Sequence, residues 1–148
     1  MLLHHYLSAI ARFGHMYTAG HLKELHLTGS QAYAILHLHH QKQCNQNDLS
    51  DFLMVDKSTV TKTMAKLEEK GYICRHTNTQ NRRENIITLT ELGEAMVQKI
   101  NTVSTTWTSL LLQDLSPEEK QMVTRLCAQA ADSAKTLAQQ THQNAKIR

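Results

Sequence analysis

Residues 47–70 constrain the fold of this chain more than any other stretch, because their apolar residues recur at the spacing of two short helices. The residues that mark the two buried faces are Leu49, Phe52 and Leu53 in the first helix and Val60, Met64 and Leu67 in the second. Asp56 follows the break at Val55 and can cap the second helix by accepting from its free backbone N–H groups. Gly71 then stands where a left-handed C-cap ends that helix. Two short helices joined by a tight turn predict a helix-turn-helix.

The polar face of the second helix is rich in hydroxyls and lysines, which can reach base edges and phosphates in the major groove of DNA. These residues are Lys57, Ser58, Thr59, Thr61, Lys62 and Lys66. An ordinary helical hairpin with a solvated polar face would show the same pattern. On the helix pair alone, both interpretations stay open.

The residues that follow favour DNA binding. Residues 72–74 predict a strand, residues 77–85 a polar turn, and residues 86–89 a returning strand. Such a hairpin is a wing with Arg82 and Arg83 at its tip. An arginine on a narrow hairpin can enter a minor groove, where the electrostatic potential is most negative.

The net charge of the whole chain is only +3, from 16 basic and 13 acidic residues, so a nucleic-acid site needs a local concentration of charge. Two runs without acidic residues provide it, one from Lys57 to Lys66 and one from Arg75 to Arg83. The predicted helix and wing are therefore more positively charged than the chain as a whole.

Helices are predicted on the N-terminal side of this unit. The first runs from near the start of the chain to about Thr18, followed by a connector over residues 19–27. Thr28 and Gln31 form the pattern of a capping box, which opens a second helix that ends near His40. Residues 41–46 are too polar for the core and predict a loop with one or two extended residues.

Two more helices are predicted after the wing. Thr90 and Glu91 begin one of about twenty residues by the spacing of its apolar positions. Residues 116–119, Ser-Pro-Glu-Glu, begin the other, which is expected to run to about residue 140. The tail, residues 142–148, is expected to fray.

The predicted fold class is therefore mostly α with a small β-wing. A winged helix-turn-helix DNA-binding domain at 28–90 lies between an N-terminal dimerisation helix and connector at 1–27 and C-terminal dimerisation helices at 91–148. The long helices carry more apolar surface than the winged unit can cover, so the expected partner is a second copy of the chain. Such a homodimer would read two half-sites of a pseudo-palindromic operator in double-stranded DNA.

Other classes of protein are not supported by the sequence. No stretch approaches the roughly 18 apolar residues of a membrane span, and the N-terminus has no basic leader, which predicts a cytoplasmic protein without a membrane partner. No nucleophile–base pair, phosphate loop or spaced carboxylate pair indicates an enzyme, and no cofactor is expected. The three cysteines are odd in number and share no metal spacing, so reduced thiols are expected.

Over essentially its full length the chain resembles the MarR family of bacterial transcriptional regulators. The specific blocks are V-D-x-S-T-V-T, L-E-x-K-G-Y-I and R-R-x-x-x-I-x-L-T-x-x-G, at their present separations. The resemblance implies a winged-helix dimer that usually represses transcription. It also implies that a small ligand, an oxidant or a metal often lowers the affinity of such a protein for DNA.

The resemblance further implies a recognition helix at 57–70, with roles for individual residues in and after it. Ser58, Thr59, Thr61 and Lys62 would face the major groove beside Lys57, Arg75 would contact the DNA backbone near the base of the wing, and Arg83 would enter the minor groove with Arg82 beside it. Asn81 stands where the family commonly has an aspartate that ion-pairs with the wing arginine. Since asparagine cannot ion-pair, a looser wing is expected.

The identity of the effector is left open. His37 and His40 lie one helical turn apart and could bind Zn or Ni with a third ligand. Zinc sensors of the family resemble one another in histidines on the long fifth helix, and residues 91–112 contain none, so we predict no metal site. Peroxide sensors of the family carry a cysteine on the first helix, which this chain lacks. Cys44 in a polar loop and Cys74 in an apolar strand are expected to be inert thiols.

A small organic molecule is the remaining effector class, and in the family it sits between the dimer helices and the winged domain. The candidate lining residues are His15, Tyr33, His37 and Trp107. Simple core or interface packing is the competing interpretation for each. A different function for the whole chain, a winged-helix protein-interaction module that binds no operator, also fits the fold. The retained Lys62, Arg75 and Arg83 favour the regulator.

Overall fold

The computed structural model describes the backbone of residues 2–146 and the side chains of residues 2–138 and 140. Helices and short strands follow one another in the order α1 (Leu3–Glu24), α2 (Gly29–Gln41), β1 (Gln43–Cys44), α3 (Gln46–Leu53), α4 (Lys57–Glu69), β2 (Ile73–Thr77), β3 (Asn85–Leu89), α5 (Glu91–Leu111) and α6 (Pro117–Lys146). This is the mostly helical winged-helix fold with a small β-wing that the sequence predicts.

The chain divides into two compact units, Met1–Thr108 and Ser109–Arg148. The first contains the winged helix-turn-helix and its core, and the second contains the end of α5 and all of α6. The three functional segments expected from the sequence remain a prediction. In the described part of the chain, no helix is both long and apolar enough to cross a membrane.

The helix-turn-helix forms from α3 and α4, and each helix has a side-chain cap. Asn45 and Asp48 make a reciprocal capping box at α3, and Asp56 accepts from the backbone N–H of Thr59 at α4. The four apolar side chains that fix the pair to the core are fully buried: Leu49, Val60, Met64 and Leu67. Gly71 ends the second helix at φ +73°, as predicted.

Phe52 departs from the predicted pattern. The sequence placed it on the buried face of α3, but 47% of it is exposed and its ring stacks on that of His37, with the centroids 4.0 Å apart. Leu49 is fully buried and Leu53 packs partly buried against the core, so these two residues, and not Phe52, fix α3.

The sheet is antiparallel and ordered β1-β3-β2. Ile73 pairs with Leu89, and Arg75 pairs with Ile87. Ile73 and Ile87 are buried, so the residues that alternate with them lie on the outer face of the sheet.

Two helices are longer than predicted. α1 continues past Thr18 to Glu24, because Leu22 is buried in the core and no proline interrupts the segment. The backbone of α6 is helical to Lys146, past the end expected near residue 140, since neither glycine nor proline follows Pro117. Of the tail expected to fray, residues 147 and 148 lie outside the described part of the chain.

Candidate nucleic-acid interface

The face of α4 opposite the core is open and basic. Lys57, Ser58, Thr61, Lys62 and Lys66 are exposed on it. Val60, Met64 and Leu67 hold the other face in the core, so the helix is fixed while this surface stays accessible. The predicted recognition helix thus presents its cations and hydroxyls to solvent.

Thr59 is engaged in the cap of α4. Its backbone N–H donates to Asp56 Oδ1 at 2.9 Å, and its hydroxyl donates to Asp56 Oδ2 at 2.7 Å. These hydrogen bonds favour the carboxylate form, the hydroxyl first, and lower the pKa of Asp56. The hydroxyl of Thr59 therefore has a structural partner in the free protein.

Thr61 also has partners within the helix pair. Its hydroxyl donates to the carbonyl of Lys57 at 2.8 Å, and Gln46 of α3 donates its side-chain amide to the same hydroxyl oxygen. By contrast, among the described residues Ser58 and Lys62 make no side-chain hydrogen bond. Of the residues predicted to face the major groove, these two can therefore form a hydrogen bond with DNA without breaking one within the described part of the protein.

The tip of the wing carries Arg82 and Arg83, both exposed. Asn81 shapes this tip, because its side-chain oxygen accepts from the backbone N–H of Arg83 at 3.2 Å and its carbonyl accepts from that of Glu84 at 3.0 Å. Asn81 thus fixes the backbone of Arg83 by a hydrogen bond within the turn. It does not hold the guanidinium group by an ion pair, as an aspartate could.

Arg75 lies at the base of the wing, with 24% of its side chain exposed. Its Nε is 3.1 Å from Oε2 of Glu68, a residue of α4. The N–H at Nε makes no hydrogen bond within the described residues, so the contact with Glu68 is one of charge. The sequence prediction for Arg75 did not include this acid.

A polar link that the sequence analysis missed joins the end of α4 to the connector between α1 and α2. Lys70 donates its ammonium group to the carbonyl of His26 and to Oε1 of Gln31, the latter at 3.2 Å. Gln31 also closes the capping box of α2 with Thr28, as predicted. The capping box was the only feature of the sequence that pointed to this link, because it fixes the side chain of Gln31 where Lys70 can donate to it.

The candidate ligand residues fall into two groups. His15 and Tyr33 line a cavity of about 180 Å³ between α1, α2 and α5, and Ser104 lines it from α5. His37 and Trp107 lie outside the lining of this cavity. Trp107 packs on Gly14 and is 5.2 Å from the ring of Tyr17 between centroids, and His37 stacks on Phe52. The pKa of His37 is lowered, mainly because burial disfavours the charged imidazolium.

The environment of Cys44 agrees with the expectation of an inert thiol, although the residue lies in a strand and not in a loop. This cysteine is buried in β1, and burial raises the pKa of its thiol to about 12. Within the described residues, no group of three or more histidine, cysteine or acidic side chains is placed to hold a metal ion. His39 instead contacts Glu94, with 2.6 Å between Nδ1 and Oε2.

Known proteins are similar to this chain in sequence and in fold. Residues 27–85 match a family model described as MarR family. The HTH-type transcriptional regulator BilQ of Clostridioides difficile (strain CD3) is 28% identical over 106 residues, which are 71% of this chain and 72% of that protein.

Solved structures agree with this similarity. A crystal structure of MarR has a TM-score of 0.84 and 31% identity, and the match covers 93% of each chain. A mutant MarR from E. coli, complexed with operator DNA, has a TM-score of 0.72 at 19% identity, covering 86% of this chain and 92% of that one. At that identity the second structure shows a shared fold.

Proposed function

Since the chain belongs to the MarR family of transcriptional regulators, we propose that it binds a pseudo-palindromic operator as a homodimer and represses transcription until an effector binds. The family regulates transcription through DNA binding, and its members are not enzymes, as the sequence predicts.

The observation that carries the proposal is the open basic face of α4 together with the exposed arginines at the tip of the wing. Ser58 and Lys62 have no competing side-chain hydrogen bonds among the described residues, so they are the first candidates for base or phosphate contacts in a major groove. Lys57 is exposed on the first turn and is suited to a phosphate. Thr59 and Thr61 would contribute their methyl groups, since their hydroxyls are engaged within the protein.

The wing supplies the second contact. Arg83, with Arg82 beside it, is placed on a narrow turn whose backbone Asn81 fixes. We propose that Arg83 enters a minor groove and that Arg75 neutralises phosphate near the base of the wing. Arg75 would then exchange part of its attraction to Glu68 for attraction to the DNA backbone.

Exposed apolar side chains support the homodimer. In the first unit, α1 exposes Leu3, Leu7 and Ile10 at helical spacing. In the second unit, α6 exposes Met122 and Leu126. Runs of exposed apolar residues on single helices are typical of interfaces, and a twofold homodimer is the commonest assembly that covers them.

The cavity near His15 and Tyr33 is the candidate effector site. Its volume of about 180 Å³ is below the roughly 300–1,000 Å³ of pockets for drug-sized ligands, which suits a molecule of about one ring. The lining is apolar at Leu22, Leu36 and Ile100, with the polar groups of His15, Tyr33 and Ser104 available to orient the ligand.

The test is a titration of the purified protein against the intergenic DNA beside its own gene at two salt concentrations. Tight binding that weakens steeply with salt is expected, because each neutralised phosphate releases condensed counterions. A random-sequence duplex of equal length is the control. If neither the intergenic DNA nor a duplex selected from a random pool binds, the operator proposal is wrong and the protein-interaction module is favoured.

A further inference from the structure

The outer face of the wing sheet carries a cysteine, a histidine and a threonine side by side. Cys74 and His76 are two residues apart on β2, so their side chains leave the strand on the same face. Thr88 of β3 is the cross-strand partner of Cys74. The core side of the sheet is formed by Ile73 and Ile87, so this group lies on the solvent side.

The sulfur of Cys74 lies within hydrogen-bonding distance of both other side chains. Sγ of Cys74 is 3.2 Å from Nε2 of His76 and 3.1 Å from the hydroxyl oxygen of Thr88. Cys74 is half-buried and His76 is exposed, so a reagent in solvent can reach the thiol. A thiol within hydrogen-bond distance of an imidazole is the arrangement that activates a cysteine as a nucleophile.

We infer that Cys74 and His76 form a nucleophilic thiol site that takes soft carbon electrophiles of the α,β-unsaturated carbonyl class. Nε2 of His76 accepts the proton of the thiol, and the thiolate sulfur forms a bond to the β-carbon of the alkene as the carbon–carbon π bond breaks. The electron pair moves to the α-carbon, which takes the proton back from the imidazolium. The product is a neutral thioether, and no oxidant or reductant is consumed.

The positions of the other cysteines favour this class of reagent. Cys44 pairs with Ile87 on the core side of the sheet, whereas Cys74 lies on the outer side, so the two cannot approach to form a disulfide. Within the first unit, an oxidised Cys74 would therefore have no second thiol to resolve it. A thioether requires no second thiol.

The inference departs from the expectation that Cys74 is inert, which rested on its apolar strand. Its strand is apolar on the core side only, and the alternation of the strand turns the thiol toward His76 and Thr88. Cys127 is exposed on α6 and, among the described residues, has no imidazole within hydrogen-bond distance. The chain therefore contains a paired thiol, an exposed unpaired thiol and a buried one, which can be compared in one experiment.

The experiment is labelling of the full-length protein with limiting N-ethylmaleimide at pH 7, followed by peptide mass spectrometry of all three cysteines. Because His76 is placed to accept the proton of the thiol as the sulfur attacks, we expect Cys74 to be labelled at least about tenfold faster than Cys127. In His76→Gln, the rate at Cys74 should fall to that of Cys127 or below. Labelling of Cys74 no faster than Cys127, or an unchanged rate in the variant, would overturn the inference.

The other two cysteines serve as internal controls. Cys127 should keep its rate in His76→Gln, which shows that the reagent and the second unit are unchanged. Cys44 should stay unlabelled, since it is buried in the core of the first unit. If Cys44 becomes reactive because His76→Gln loosens the fold, His76→Asn is measured by the same criteria. The readout does not require DNA binding, so it is independent of the proposed regulator.

Discussion

Arg75 at the base of the wing and Glu68 on α4 form an ion pair between the two elements proposed to touch DNA, with 3.1 Å between Nε and Oε2. The pair joins the strand that leads into the wing to the helix that precedes it. It also places an acidic group next to a cation that the proposed function assigns to a phosphate. We therefore expect affinity for DNA and stability of the free protein to depend on this acid in opposite directions.

We predict that Glu68→Gln tightens binding to DNA. Removing the carboxylate frees the charge of Arg75 for phosphate, whereas the cost in stability should not exceed about 1 kcal/mol, because the pair is partly exposed. A salt-dependent titration and thermal melting measure the two effects. Glu24→Gln removes the same charge from α1 and should leave affinity nearly unchanged. Weaker binding by Glu68→Gln would mean that the acid mainly positions the wing.

Arg83→Ala is expected to weaken operator binding without unfolding the protein, since the tip of the wing is exposed. Loss of one cation from the interface should also reduce the slope of log affinity against log salt by about 1. The measurements are the salt titration and the melting temperature. Arg12→Ala, an exposed arginine of α1, is the matched control. Unchanged affinity in Arg83→Ala would show that the wing does not touch DNA.

Lys62→Ala should cost about 1–3 kcal/mol of operator binding if the ammonium group contacts a base. The melting temperature should stay near that of the parent, because Lys62 is exposed and has no side-chain hydrogen bond among the described residues. Binding to the operator and to a random duplex distinguishes the contacts: loss on the operator alone indicates a base, and equal loss on both indicates a phosphate. No loss on either would remove Lys62 from the interface.

Thr59→Ala is expected to behave differently from Lys62→Ala. Its hydroxyl donates to Asp56 in the cap of α4, so the substitution should lower the melting temperature as well as any affinity. Thermal melting of both variants decides the point. A Thr59→Ala protein as stable as the parent would show that the hydroxyl adds nothing to the cap.

Leu67→Ala tests the core beneath the recognition helix. Leu67 is fully buried, so its truncation should lower the free energy of unfolding by roughly 2–5 kcal/mol. Denaturant unfolding measures the loss. Lys66→Ala, one residue earlier on the exposed face, should change stability by no more than about 0.5 kcal/mol. Equal stability of Leu67→Ala and the parent would refute the burial of this face.

The sequence was informative wherever a feature depends on residues within about one helical turn. The cap by Asp56 and the capping box of Thr28 and Gln31 follow from side chains three positions from the N–H groups they accept from. The burial of Val60, Met64 and Leu67 follows from helical spacing. The ends of the helices were harder to predict from the sequence. The helix α1 is longer than expected because Leu22 is buried, and α6 is longer because no glycine or proline ends it.

Contacts between elements were decided by the tertiary structure. Arg75 meets Glu68, Lys70 meets His26, and Cys74 meets Thr88 only once the strands have their register and α4 its place on the core. These partners are 7, 44 and 14 positions apart in the sequence and lie in different segments, so no spacing rule within one helix or strand applies to them. The identity of the fold was thus set by short-range patterns, whereas the chemical surroundings of each charged or nucleophilic group were set by packing and strand register, because those alone bring distant side chains together.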